Sequence, residues 1–285
     1  MTNSNTGIDR RGDSITVATV GSESGRVTIE RLQQLDAPPG SDPVRIDNGR
    51  VTLAVPGQKA IVKPVRLEVD DGLSTEDRLR FELAQSLLEG EDSFIFAHQY
   101  TGDDGRYLGM VFRREHTLQI CESCGLDYES LGNRLSFQLR SIALGQGYLT
   151  FCRKEESELI CLADLAGGAA SICFIYGGNI VEVASLSIAR DDLASQSGRE
   201  QFAVNLKTIV NYKQAALMDA GICVPVSSLL FSGESVDDDF RRTVQVFFPA
   251  GVNQPRLHDG FLGDIADQTR PALPLLLVAL GLAVN

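Results

Sequence analysis

The chain has 285 residues, 43% of them hydrophobic, and a formal net charge of −12 from 38 acidic and 26 basic residues. A chain of this length buries a large core, as one domain or two lobes. Its acidic surplus repels nucleic acid and anionic membrane, which excludes nucleic-acid binding from the expected functions.

Residues 1–13, "MTNSNTGIDRRGD", are polar and lack the apolar stretch of a signal peptide, so they read as a flexible tail. "SITVATVGSESGRVTIERLQQL" then reads as two strands around a turn at residues 21–25, and "DAPPGSDP" breaks the pattern. "GRVTLAVPGQKAIVKPVRLEV" supplies short β segments punctuated by Pro56, Gly57 and Pro64. Ser74 stands three residues before Asp77, the spacing of a helix start; Leu79, Leu83 and Leu87 follow, and Gly90 closes a helix expected over 74–89. "SFIFAHQY" and "RYLGMVFR" read as strands, residues 115–124 as a helix, and 41–126 as one small α+β module.

A second body follows. "LICLADL" and "ASICFIYGGNIVEVASLSI" read as strands with a hairpin at "GGN". Phe202, Leu206, Ile209, Val210 and Leu217 share one face of a helix over 202–220, ended by Gly221. "VSSLLFSGES" gives another strand running into a glycine turn. The run "ALPLLLVALGLAV" falls about seven residues short of the roughly 20 that cross a bilayer and is broken by Pro274, so it reads as a buried terminal helix.

Chemistry-bearing residues are few. In "LADLAGGAASICFIYGG" an acid ends a strand and two glycines follow. Glycines let several N–H groups converge on one anion while the acid orients a magnesium ion through water, but a plain tight turn has the same outline. Six cysteines without an export signal read as reduced thiols in the cytoplasm. Cys121 and Cys124 form a CxxC near His116, compatible with a redox dithiol, half a zinc site, or a helix end before Gly125. His258 with Asp259, and the run Asp237, Asp238 and Asp239, read as a loop pair and a solvated turn, and no GxSxG or HExxH supports a hydrolase. Lys213 interrupts an apolar helix face, either snorkelling to solvent or pointing into a cleft.

Three strand-to-turn sites, "TVGSESG", "ADLAGGAAS" and "LLFSGES", placed around the α+β module and followed by the terminal helix, resemble the actin-like ATPase superfamily. "VTLAVPGQKAIVKPVRL", the helix at 74–89, "FAHQY", "SCGLDYESL" and "PALPLLLVALGLAVN" resemble successive segments of the PilM family of type IV pilus assembly proteins, with the cytoplasmic part of type II secretion L proteins as a neighbour. The resemblance implies an α/β, ribonuclease H-like fold of two lobes, 14–40 with 127–285, and an inserted subdomain at 41–126. It also implies a nucleotide cleft drawing on Gly21, Ser22, Asp164, Gly167, Gly168, Lys207 and Gly233 for ATP and magnesium.

Departures from the family pattern point to a degenerate cleft. Thr19 stands where the first loop carries an acid two residues before its glycine. Ala166 replaces a glycine, Ala169 and Ala170 replace hydroxyl residues that reach phosphate, Glu234 replaces a second glycine, and Asn205 replaces an acid near Lys207. The expectation is a pseudo-ATPase with no catalytic residue and no bound metal, the alternative being an ATP-binding member of the family that nucleotide still regulates. It would work as a cytoplasmic adaptor, peripheral to the inner membrane through its partner, without spanning the membrane or binding nucleic acid. The implied partners are the N-terminal peptide of a PilN-type inner-membrane protein and components of a pilus or secretion ATPase. The implied docking groove lies between the first lobe and the inserted module, near residues 55–65 and the helix at 74–89.

Overall fold

Strands β1 (Asn3–Arg11), β2 (Ser14–Glu23) and β3 (Arg26–Asp36) run antiparallel, and β4 (Arg50–Val55) joins β1 in parallel on its other side. The computed structural model describes residues 3–23, 26–36, 44, 46, 49–67, 72–102, 105–152, 158–166, 168–188, 192–233, 236–258, 261 and 276–284. After β4 the chain leaves this sheet for β5 (Ala60–Arg66), helix α1 (Thr75–Ala84), β6 (Phe94–Tyr100) and β7 (Arg106–Arg113). It returns through α2 (Arg114–Ser123), the single turn α3 (Tyr128–Leu131) and β8 (Leu135–Leu139), which lies parallel to β4. The first sheet therefore has the order β3-β2-β1-β4-β8.

Helix α4 (Arg140–Phe151) leads to a second sheet of the same design. Strands β9 (Leu159–Ala166), β10 (Ala169–Tyr176) and β11 (Asn179–Ser187) run antiparallel. Helix α5 (Gln196–Asp219), β12 (Val226–Gly233), α6 (Asp238–Phe247), β13 (Val252–Asn253) and α7 (Leu277–Ala283) follow. The order β11-β10-β9-β12-β13 repeats that of the first sheet, with β12 and β13 parallel to β9. At Gly177 and Gly178 both φ values are positive, 56° and 75°, as the two-residue hairpin between β10 and β11 requires.

The two lobes exchange helices. α4 packs on β10 and β11 of the second sheet, whereas α7, from the far end of the chain, packs on β1 and β2 of the first. The helices also touch each other closely enough that a Cβ on Gly281 would stand 1.7 Å from the Ala143 carbonyl oxygen and one on Gly147 2.2 Å from that of Leu277. Gly7 on β1 is equally bare because a Cβ there would meet the Ala279 oxygen at 2.1 Å. Apolar α7 is buried along its whole length, as its sequence suggests.

Three expectations need correction. Residues 3–11 are no tail but the middle strand of the first sheet, held on both sides by ladder bonds to β2 and β4. The stretch 41–126 is not one module: β4 belongs to the first sheet, and α2 packs Cys121 and Cys124 against Ile8, Ile15, Val51 and Leu53 of that sheet. The insertion proper is the three-stranded sheet β5-β7-β6 with α1, whose Leu79 and Leu83 meet Val65, Phe94 and Val111. The helix expected over 74–89 is capped at Ser74, which accepts from the Asp77 N–H at 3.1 Å, but ends at Ala84.

Candidate functional site

The first strands of the two sheets, β1 and β9, end facing each other, each turning back through a glycine in the left-handed region, Gly12 (φ 60°) and Gly168 (φ 83°). Near these ends β1 carries Asp9 and Arg11, and β9 carries Asp164. All three side chains are at most 2% exposed. Arg11 Nε donates to Asp9 Oδ2 at 2.7 Å, and Arg11 Nη2 lies 3.3 Å from Asp164 Oδ2 in the other lobe. Arg140, the first residue of α4, donates through Nε to Asp9 Oδ1 at 2.9 Å and through Nη2 to the Arg10 carbonyl at 2.6 Å. Ser232 on β12 completes the set, its Oγ 2.8 Å from Asp164 Oδ1. Charges this deep are stable only when paired and hydrogen-bonded, and two acids against two guanidiniums leave the cluster neutral.

Beside the cluster opens a cleft of about 450 Å³ lined by both glycine turns and by Arg10, Lys59, Arg140, Ala166, Ala169 and Ser187. Its charged lining is wholly basic in a chain of net charge −12, which favours anions there. The insertion packs along β11 of the second lobe: a Cβ on Gly57 would meet Ser185 near the cleft, one on Gly102 would meet Asn179 at the strand's far end, and Gln146 donates to Gln99.

The sequence-expected residues fall into two groups. Asp164, Gly168 and Gly233 come together at one end of the second sheet, Gly233 at φ 106° with its α-carbon against Leu165. Gly167, Glu234 and Asp259 lie outside the described residues. Gly21 and Ser22 are not at the cleft. They pair with Ser4 and Asn3 at the opposite end of β1, roughly 24 Å from Ser14 at about 3.4 Å per residue. Thr19, read as a missing acid, is instead a buried residue within hydrogen-bond distance of Thr6, and the acid of the first lobe is Asp9. Lys207 is exposed on α5 between Leu206 and Val210, which face the core. Lys213 does neither of the things expected of it; its Nζ pairs with the buried Glu182 of β11 at 3.2 Å.

Magnesium with ATP phosphates, which the resemblance implies, does not fit this arrangement. Asp9 is held by two guanidiniums, and Asp164 Oδ2, which accepts no hydrogen bond, has Arg11 where the ion would sit; Ala166 and Ala169 offer no side-chain donor at the second turn.

A second concavity of about 510 Å³ separates the insertion from the first lobe. One wall is β6 with Leu79, Arg80 and Leu83 of α1; the other is β8 with Tyr128 of α3. Both strands are the outermost of their sheets. Phe96, with Arg80 over its ring at 5.4 Å, and Phe137, stacked on Tyr128, give the floor an aromatic character. Glu76, Glu91 and Asp92 make one rim acidic.

The CxxC is buried, Cys121 at 1% and Cys124 at 2% exposure. Burial pushes the Cys121 thiol up to about 12, with Cys124 and Glu122 adding to the effect, and the Cys124 thiol up to about 11. Reactive dithiols need the reverse, an exposed thiol stabilised as thiolate. Cys124 caps the end of α2 ahead of Gly125 (φ 67°), and among the described residues no cluster of three or more ligating side chains is placed to hold a metal.

No family model matches the sequence, and no curated protein matches it. Solved structures do. One described as a PilM-PilN type IV pilus biogenesis complex is similar at 13% identity and a TM-score of 0.66 over 98% of this chain and 97% of that one. A Bacteroides thetaiotaomicron protein with an actin-like ATPase fold and unknown function is similar at 11% identity and a TM-score of 0.53, over 88% and 91%. The chain thus has the two-lobed actin-like ATPase fold, in a form that resembles PilM.

Proposed function

We propose that this chain is a PilM-like adaptor that grips an extended N-terminal segment of a PilN-type inner-membrane protein in the groove between β6 and β8. In that role it would link the membrane platform of a type IV pilus or type II secretion machine to cytoplasmic components, an ATPase of the machine among them. The observation that carries this reading is that both long walls of the groove are sheet edges. An edge strand presents unpaired N–H and C=O groups, so an extended peptide gains affinity through its main chain, and Phe96, Ala97 and Phe137 select its side chains. Full-length correspondence with the PilM-PilN structure supports the same choice of partner. Among the described residues no helix is long and apolar enough to cross a membrane, and attachment through the partner is part of the proposal.

The test is fluorescence anisotropy with a labelled N-terminal peptide of a PilN-type protein from the same organism. Phe96→Glu and Ser136→Trp, one on each wall, should each weaken binding at least about tenfold while thermal stability is kept. Unchanged affinity in both variants, or no binding to the unaltered protein, would overturn the reading.

The interlobe cleft, in the same proposal, hydrolyses no ATP. Phosphate release from magnesium-ATP by the purified protein should equal the buffer rate. A rate above it that Asp164→Asn removes would refute this part. A thiol-redox role has less support because both thiols of the CxxC are buried and held protonated.

A further inference from the structure

Two buried carboxylates brought together from different lobes repel each other, and a folded protein resolves this with a cation, a shared proton, or a basic side chain between them. Here three of the four carboxylate oxygens accept hydrogen bonds, and the fourth, Asp164 Oδ2, accepts none and has the Arg11 guanidinium as its counter-charge. Asp9 Oδ1 accepts from Arg140 and Asp9 Oδ2 from Arg11, while Asp164 Oδ1 accepts from Ser232 and Asp164 Oδ2 faces Arg11 Nη2 at 3.3 Å. The one oxygen without a hydrogen bond, Asp164 Oδ2, already faces Arg11, and a divalent cation entering this space would meet two guanidiniums. Arg11 also stands two residues after Asp9, the place where the resemblance leads one to expect a glycine, so its side chain fills the volume that a bare backbone would leave open.

We propose that Arg11 is a tethered counter-ion that takes the place of a divalent cation between Asp9 and Asp164. The cleft is then set without metal, and the chain's own charge joins the two lobes. A metal bridge depends on the ion's concentration, whereas this one is present whenever the chain is folded. The inference concerns the cleft alone and is independent of the adaptor reading, whose test is peptide binding in a different groove.

It follows that removing Arg11 uncovers a latent cation site. The test is thermal unfolding of the full chain in EDTA and in millimolar MgCl₂ or MnCl₂ at matched ionic strength. The unaltered protein should unfold at the same temperature in all three, and so should Arg11→Lys, which keeps a cation there. Arg11→Gly should unfold earlier in EDTA and recover by about 3 °C when the metal is at ten times its Kd. Adding Asp164→Asn to that variant should abolish the recovery. Stabilisation of the unaltered protein by either metal, or a folded Arg11→Gly indifferent to both, would overturn the proposal. Should Arg11→Gly fail to fold, titration of the unaltered protein with Mn²⁺, read by electron paramagnetic resonance of the free ion, still decides. Absence of binding supports the tethered counter-ion, and a Kd below about 1 mM, the range of a working carboxylate site, refutes it.

Discussion

Asp9 shows how a residue in the middle of a sheet escapes a reading of the sequence. Its strand, "NSNTGIDRR", has one strongly apolar side chain, Ile8, because the other burial on β1 is of a hydroxyl at Thr6, of backbone at Gly7 beneath α7 and of charge at Asp9 and Arg11. Alternation of apolar and polar residues is therefore absent where the strand is most buried, and the sequence pattern points to Thr19, one strand further on, as the place of the first lobe's acid. Asp164 was legible because its strand, "LICLADLA", is apolar on both faces and ends in glycines. Asp9→Asn should cost about 3–5 kcal/mol in chemical denaturation, since it leaves the buried Arg140 without a carboxylate and Arg11 with Asp164 alone. The exposed Asp36→Asn should cost nothing measurable. The thiols give a second prediction. Burial raises Cys121 and Cys124 from an ordinary 9.0 to about 12 and about 11, and lifts Cys152, Cys161 and Cys173 as well. Above pH 9 the unfolded chain loses these protons and the folded one keeps them, so stability is full below that pH and falls as pH rises toward 11 and 12. Urea midpoints should hold steady from about pH 6 to 8 and drop beyond about 9, a drop that Cys121→Ala should lessen. At neutral pH a thiol reagent should label the exposed Cys223 and spare the CxxC until the protein unfolds.

Elements were legible where their signal is local. Ser74 announces α1, and Asp237, read as a solvated turn, accepts from the Phe240 N–H to start α6. The end of α1 was not legible, because Leu87 continues the helical spacing yet packs on the insertion's core from beyond the last helical turn. Partnership between helices left no local trace at all. Nothing near Gly147 or Gly281 indicates that the two meet, although a side chain at either would strike the other helix's backbone. Gly281→Val should therefore cost more than about 3 kcal/mol, read as a lowered denaturation midpoint, because backbone cannot move aside as a flexible side chain does. Gly90→Ala, where a Cβ meets nothing within 4 Å, is the control and should leave the midpoint unmoved.

At the scale of the molecule, the two sheets share one strand order without sharing a sequence. β1 is polar and β9 apolar, and an acid a few residues ahead of a glycine turn is what they have in common. The duplication is one of topology, and residue patterns could show it only through the likeness to a family. The exchange of α4 and α7 also carries a consequence for biosynthesis. β1 leaves the ribosome before every element that separates it from α7, the helix that covers Gly7, so one face of the first sheet stays wet while all of those elements are translated. The first lobe is thus begun with β1 and completed only with α7. A chain stopped at residue 272 should bind the dye ANS and precipitate, whereas adding α7 back as a peptide should restore solubility. In the cell the nascent chain must be shielded from its neighbours for as long as that face is uncovered, and a holding chaperone is the natural company for it.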